Sequence, residues 1–88
     1  MNRVTFTDRA WDDYLYWQTQ DKKTLRRVNA LINDIKRNGH EGIGKPEALV
    51  GDLSGFWSRR IDDKNRIVYR ITDNVIELVA LRKHYGDE

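Results

Sequence analysis

Three kinds of residue in this 88-residue chain could do chemistry: a carboxylate, a late histidine and a run of arginines between them. Glu47 follows Lys45-Pro46, and His84 is followed by Tyr85. The stretch Leu53–Arg70, LSGFWSRRIDDKNRIVYR, carries Arg59, Arg60, Arg66 and Arg70 beside Phe56, Trp57 and Tyr69. These types suit phosphodiester cleavage without a metal, in which RNA supplies its own 2′-OH nucleophile. Such a reaction needs a base near the 2′-OH, an acid near the departing 5′-oxygen, and cations around the phosphorane-like transition state. Glu47 is the candidate base. His84 titrates near neutrality. Arg66, Arg60 and Lys45 are the candidate cations. Spacing alone leaves open whether they converge. Arginines on a strand are commonly solvated, and a lone histidine near a terminus is commonly incidental.

Other chemistries fit the sequence poorly. The two histidines stand 44 residues apart with no HExxH-like carboxylate spacing, which makes a weak metal site. GIGKPE lacks the phosphate-cradling Walker pattern. With no cysteine there is neither a thiol nucleophile nor a disulfide framework. Ser54 and Ser58 have no evident triad. No cofactor and no metal are therefore expected.

Composition sets the frame. A chain of this length makes one domain, residues 1–88. With 39% hydrophobic and 10% aromatic residues it is globular rather than disordered. MNRVTF is not followed by the apolar run of a signal peptide, and nothing approaches a membrane span. The absence of cysteine suits a reducing compartment. A soluble, cytoplasmic protein is expected, with no membrane partner. Sixteen basic against 14 acidic residues give a net charge of only +2. The distribution says more: Arg59–Arg70 holds five basic residues and two acids, both in a turn, enough for a local basic face that attracts phosphate.

The elements that must position these residues read in order. Arg3–Phe6 is a first strand. Thr7 is a good N-cap for a helix over Asp8–Gln20, in which Trp11, Tyr14, Leu15 and Gln18 share a face and Trp17 lies at its edge. Asp21 caps a second helix, Lys22–Asn38, whose Leu25, Val28, Leu31, Ile32 and Ile35 form an amphipathic stripe ending at Gly39. The short gap implies an antiparallel helix pair. Lys22, Lys23, Arg26 and Arg27 form a second basic patch, read first as a solvated helix face. His40–Gly51 is a loop in which Pro46 biases Lys45 towards an extended backbone. Three strands follow, Gly55–Ile61, Asn65–Thr72 and Val75–Leu81, with turns at Asp62–Lys64 and Asp73–Asn74. In the middle strand Ile67, Tyr69 and Ile71 share one face, and Arg66, Val68 and Arg70 the other. The fold expected is α+β, in the order β-α-α-β-β-β, with two antiparallel helices on one face of a mainly antiparallel sheet.

Several rare-residue motifs then occur together in order: Trp11–Trp17 (WDDYLYW), Gly44–Glu47 (GKPE), Leu53–Ile61 (LSGFWSRRI), Arg66 with Val68-Tyr69, and His84-Tyr85. Over nearly its whole length the chain resembles the YoeB/Txe family of toxin–antitoxin ribonucleases, within the RelE-like superfamily. The resemblance implies Glu47 as general base, Arg66 as transition-state cation, His84 as general acid, and Tyr85 as a residue that positions it or the scissile nucleotide. It implies phosphate contacts from Lys45 and Arg60, and Arg59 and Phe56 are expected on the same RNA-binding surface. Family toxins enter the ribosomal A site and cut mRNA there without a metal, leaving a 2′,3′-cyclic phosphate and a 5′-OH. The partners implied are a cognate YefM/Axe-like (Phd-type) antitoxin, the 70S ribosome with its mRNA, and a second copy in a homodimer. Operator DNA would be reached only through the antitoxin.

Two departures stand out against that pattern. After GKPE the chain reads Ala48-Leu49-Val50-Gly51, where relatives commonly carry a basic residue. The tail Gly86-Asp87-Glu88 adds negative charge beside His84, which favours the imidazolium wherever it lies close. The alternative from another class is a non-enzymatic toxin of the same fold that binds and inhibits a target such as gyrase. Such a binder would not require Glu47, Arg66, His84 and Tyr85 together.

Overall fold

The computed structural model describes residues 3–83. The chain begins with β1 (Arg3–Phe6) and enters α1 (Asp8–Gln20) through Thr7, whose hydroxyl accepts from the Ala10 N–H at 3.1 Å and donates to the Val79 carbonyl at 2.9 Å. One residue, Asp21, ends α1 and starts α2 (Lys22–Asn38). Its N–H bonds the Trp17 carbonyl, while its carboxylate accepts from the Lys23 and Thr24 N–H groups. Gly39, at φ +68°, stops α2 with its N–H on the Ile35 carbonyl. A left-handed residue there is the usual helix exit.

Four more strands complete the sheet: β2 (Glu47–Ala48), β3 (Trp57–Arg60), β4 (Arg66–Thr72) and β5 (Val75–Ala80). The order across the sheet is β1-β5-β4-β3-β2, with β1 parallel to β5 and the remaining pairs antiparallel. The β4–β5 hairpin turns on Asp73 and Asn74, both with positive φ. That is the two-residue turn whose twist matches paired strands, and Asp and Asn tolerate it. The expected α+β architecture and both helix spans hold. The expected His40–Gly51 loop is more ordered than its composition suggests, since Glu47 and Ala48 pair with Ser58 and Trp57 and a 3-10 turn follows at Gly51–Leu53.

The main core lies between the helices and one sheet face. Ala10, Trp17, Val28, Leu31 and Ile35 meet Ile61, Ile67, Tyr69, Ile76, Leu78 and Leu81. The α1 face differs from the expected one. Ala10, Asp13 and Trp17 are buried, whereas Trp11 and Leu15 are 47% and 40% exposed. The sequence gives the aromatic residues equal claim on the core. The decision comes from Asp13 and Trp17, which bond the two backbone groups of Leu81 (Asp13 Oδ2 to its N–H, 2.9 Å; Trp17 Nε1 to its carbonyl, 2.7 Å). A buried backbone without a sheet partner must be satisfied by side chains, and that requirement fixes the helix rotation. Among the described residues the opposite sheet face carries a small apolar patch, Leu49, Val68 and Ala80 with Leu53, Phe56 and Val79 against it. Beside that patch the face is open at Glu47, which is exposed, and at Arg60 and Arg66, which are half-buried, while Ser58 is buried.

Candidate functional site

The strand register lays out the open face. Glu47 on β2 stands opposite Ser58 on β3, Ser58 opposite Val68 on β4, and Val68 opposite Ala80 on β5. Two residues further along β3 and β4, Arg60 stands opposite Arg66. Side chains two apart on a strand share a face, so Glu47, Arg60 and Arg66 all point away from the helices. Ordinary sheet spacings put the Cα atoms of Glu47 and Arg66 roughly 12 Å apart, room for a phosphate and its ribose between two extended side chains.

Arg66 is held rather than loose. Its Nη1 donates to the carbonyls of Asp62 (2.8 Å) and Asn65 (3.1 Å), leaving Nε and Nη2 with no partner among the described residues. The turn beneath it is built by Asp62, whose Oδ1 accepts from the N–H groups of Lys64 and Asn65, both at 2.8 Å. Asn65 then reaches the end of the described chain: its Oδ1 accepts from the Lys83 N–H at 2.7 Å, and the Arg66 N–H donates to the Lys83 carbonyl at 3.0 Å. His84 follows Lys83 directly in sequence. His84 and Tyr85 themselves lie outside the described residues.

Lys45 does not take the extended backbone expected before Pro46. Its φ is +54°, after Gly44 at +83°. The Arg60 N–H takes the Gly44 carbonyl at 2.7 Å, and this bond outweighs the local preference by forcing the chain to turn back into β2. Exposed Lys45 thereby shares a groove of about 280 Å³ with Arg27, Arg60, Asp62 and Asp63. Arg60 forms a surface ion pair with Asp63 at 3.0 Å. Pairs of this exposure hold little energy, so Arg60 remains available to another anion.

Of the two remaining expected RNA-binding residues, Phe56 lies on the open face and Arg59 does not. Phe56 packs on the small apolar patch with the Arg70 guanidinium 4.8 Å above its ring, at the far end of the face from Arg66. Arg70 is further engaged by Glu77 at 2.8 Å. Arg59 is the clear correction. It is fully buried on the helix side and offers no surface to a phosphate. Its Nη1 binds Asp34 and the Ile43 carbonyl (3.0 Å), its Nη2 the carbonyls of Gly39 (2.6 Å) and Glu41 (2.9 Å), and its Nε the Tyr69 hydroxyl (3.2 Å). A guanidinium has five N–H donors, and this one has five acceptors. A buried charge is tolerated only when paired and bonded in this way.

Electrostatics around Arg59 follow from its charge. Its hydrogen bond holds the Asp34 carboxyl below the usual carboxylate range, against the opposing effect of burial. Burial pushes the Tyr69 phenol up, partly offset by Arg59. His40 stacks on Trp57 with ring centroids 4.0 Å apart, and its buried Nδ1 has no hydrogen-bond partner among the described residues. Burial first, and Arg59 second, push the His40 imidazole below its ordinary pKa. Sequence reasoning passed over Asp34, Asn65 and Asp13, the side chains that fix the segments around the site. Nothing in their spacing marks them. For Arg59 a signal exists that its expected surface role overrode: Trp57, Arg59 and Ile61 alternate onto one face, and its apolar neighbours mark that face as the core.

Comparison with known proteins agrees with the fold. A family model described as the YoeB-like toxin of bacterial type II toxin–antitoxin systems matches residues 6–85. A toxin YoeB of Streptomyces coelicolor is 53% identical over 83 residues, covering 94% of this chain and 99% of the relative. Among solved structures, a YoeB/ParE toxin from Agrobacterium tumefaciens superposes with a TM-score of 0.92 at 41% identity, covering 94% of this chain and 99% of that one. A YoeB dimer from Staphylococcus aureus gives 0.88 at 45% identity, covering 96% and 98%. A YoeB–YefM complex from the same organism gives 0.88 at 43%, covering 97% and 99%. The shared architecture, near-complete coverage and family match place the chain in the YoeB-like toxin family of bacterial type II toxin–antitoxin systems.

Proposed function

We propose that this toxin is an endoribonuclease that cuts mRNA in the ribosomal A site by acid–base catalysis needing no metal. One observation carries the reading: Glu47 and Arg66 share the open sheet face, and Lys83, the residue before His84, is tied to the backbone of Arg66. In this reading Glu47 takes the proton from the 2′-OH, which attacks the adjacent phosphorus. The P–O5′ bond breaks, and His84 gives a proton to the leaving oxygen. The products are a 2′,3′-cyclic phosphate and a 5′-OH. Arg66 stabilises the negative charge that grows on the phosphoryl oxygens. Tyr85 positions His84 or the scissile nucleotide, and Lys45 and Arg60 hold neighbouring phosphates.

The described cations of the proposed site, Lys45, Arg60 and Arg66, lie on exposed or half-buried surface. Orientation of the RNA must then come from the ribosome, which converts a loose encounter into a positioned one. The partners proposed are the ribosome, a YefM-like antitoxin that folds over this face, and a second copy of the chain. All of them suit a cytoplasmic toxin, and operator DNA is reached through the antitoxin alone.

The test compares naked mRNA with mRNA on programmed ribosomes. Cleavage is expected to be faster by orders of magnitude on the ribosome, with 2′,3′-cyclic phosphate ends. Equal rates would remove the ribosome from the mechanism. Arg66→Ala should lower cleavage by about 10²–10³-fold, whereas Arg70→Ala, four residues along β4 from the backbone tie to Lys83, should stay near wild type. Equal losses would reduce Arg66 to generic charge.

A further inference from the structure

We infer that the buried Arg59–Asp34 pair is the positioning device for Glu47, an inference that rests on the catalytic reading of Glu47 above. Strand β2 has only two residues, Glu47 and Ala48, and it lies at the sheet edge. Cross-strand pairs contribute roughly 0.2–1 kcal/mol each, so β2 cannot fix a catalytic carboxylate unaided. The segment before it, Gly39–Pro46, has no regular structure of its own.

Strand β3 supplies what is missing from both sides. Its backbone pairs with Glu47 at Ser58, and the next residue, Arg59, reaches back to the incoming segment. The guanidinium gathers the carbonyls of Gly39, Glu41 and Ile43, while Asp34 accepts from the Ile43 N–H at 3.1 Å and the Asn38 amide at 2.8 Å. The chain is drawn so close that a Cβ on Gly42 would collide with Asp34 Oδ2. A Cβ on Gly44 would lie 2.8 Å from Leu31 Cδ2 and 3.1 Å from Arg59 Cβ. The next bond along, Arg60 N–H to the Gly44 carbonyl, delivers the chain to Pro46 and Glu47. Arg59 touches no substrate. It acts by setting where the Glu47 carboxylate stands.

The test is a kinetic cycle on ribosome-programmed mRNA under single-turnover conditions. The proteins are the wild type, Arg59→Lys, Asp34→Asn, Glu47→Gln and the double variant Arg59→Lys/Glu47→Gln. Lysine keeps the charge but not the fork, and asparagine keeps an acceptor for the Ile43 N–H. Folding is checked by circular dichroism and by antitoxin binding. A misplaced catalytic group loses about 10²-fold for a shift of 1 Å. Arg59→Lys is expected to lower the cleavage rate by about 10–100-fold, with the half-saturating ribosome concentration changed less than about threefold. In the Glu47→Gln background the same change should cost nothing further, because the group it positions is gone. A rate at the wild-type level in a folded Arg59→Lys or Asp34→Asn protein overturns the inference. So does a loss that is equally large without Glu47, or one seen only in half-saturation. Should Arg59→Lys fail to fold, Asp34→Asn carries the same readings, alone and combined with Glu47→Gln. Wild-type cleavage by Glu47→Gln itself would instead refute the catalytic reading on which the inference stands.

Discussion

Two irregular segments flank the open sheet face, and they are held by opposite means. The incoming arm, Gly39–Glu47, is gathered from inside by a buried cation that spends its donors on carbonyls. The outgoing arm, Leu81–Lys83, is gripped from outside, residue by residue. Asp13 and Trp17 of α1 hold Leu81, Tyr16 stacks 3.7 Å under the Arg82 guanidinium, and Asn65 holds Lys83. One arm thus depends on a single hub, and the other on several separate bonds. A hub gives accuracy and fails as a unit, because removing one partner strands a buried charge. Separate bonds fail one at a time.

The largest effects should come from the ends of the arms. Glu47→Gln and His84→Gln are each expected to lower ribosome-bound mRNA cleavage by about 10²–10⁴-fold while leaving antitoxin binding intact. A loss confined to one of them would break the symmetry of the two arms. The supports come next and should separate the arms. Arg59→Met leaves Asp34 uncompensated and should destabilise the protein by about 3–5 kcal/mol in urea unfolding. Asp13→Ala orphans one buried N–H of Leu81 and should cost about 1–3 kcal/mol. Equal losses would mean that the hub is no hub.

A smaller effect belongs to the incoming arm alone. The His40 pKa is depressed in the folded state, so the unfolded chain takes up a proton first as pH falls. Stability is then full above about pH 6.5 and falls as the pH drops below it. His40→Phe should flatten the urea midpoint between pH 7 and pH 5, and an unchanged slope would place the titration elsewhere. The smallest effect lies at the rim. Val50 is 85% exposed beside the Glu47 strand. Val50→Lys is expected to raise cleavage by at most about fivefold.

Much of the fold was legible because it is written locally. Thr7, Asp21 and Gly39 mark the helix ends, the α2 stripe marks its buried side, and Asp73-Asn74 marks a tight turn. The open face was legible through the alternation of Arg66, Val68 and Arg70. What could not be read was set by distant partners. The rotation of α1 depends on Leu81, some 68 residues from Asp13. The left-handed backbone of Lys45 depends on an Arg60 bond that opposes the preference set by Pro46. Arg59 was misassigned for a different reason. Arginine on a strand is usually solvated, and the competing signal, its place between Trp57 and Ile61, asks for a buried charge whose acceptors lie in a loop and a helix.

The most direct measurement is a map of mRNA 5′ ends by primer extension after the toxin is induced in growing bacterial cells, beside the Glu47→Gln protein. The expected result is a set of cuts in phase with codons for the wild type and their loss in the variant. Cuts out of codon phase, or the same cuts made by Glu47→Gln, would contradict a ribosome-bound reaction with Glu47 as its base.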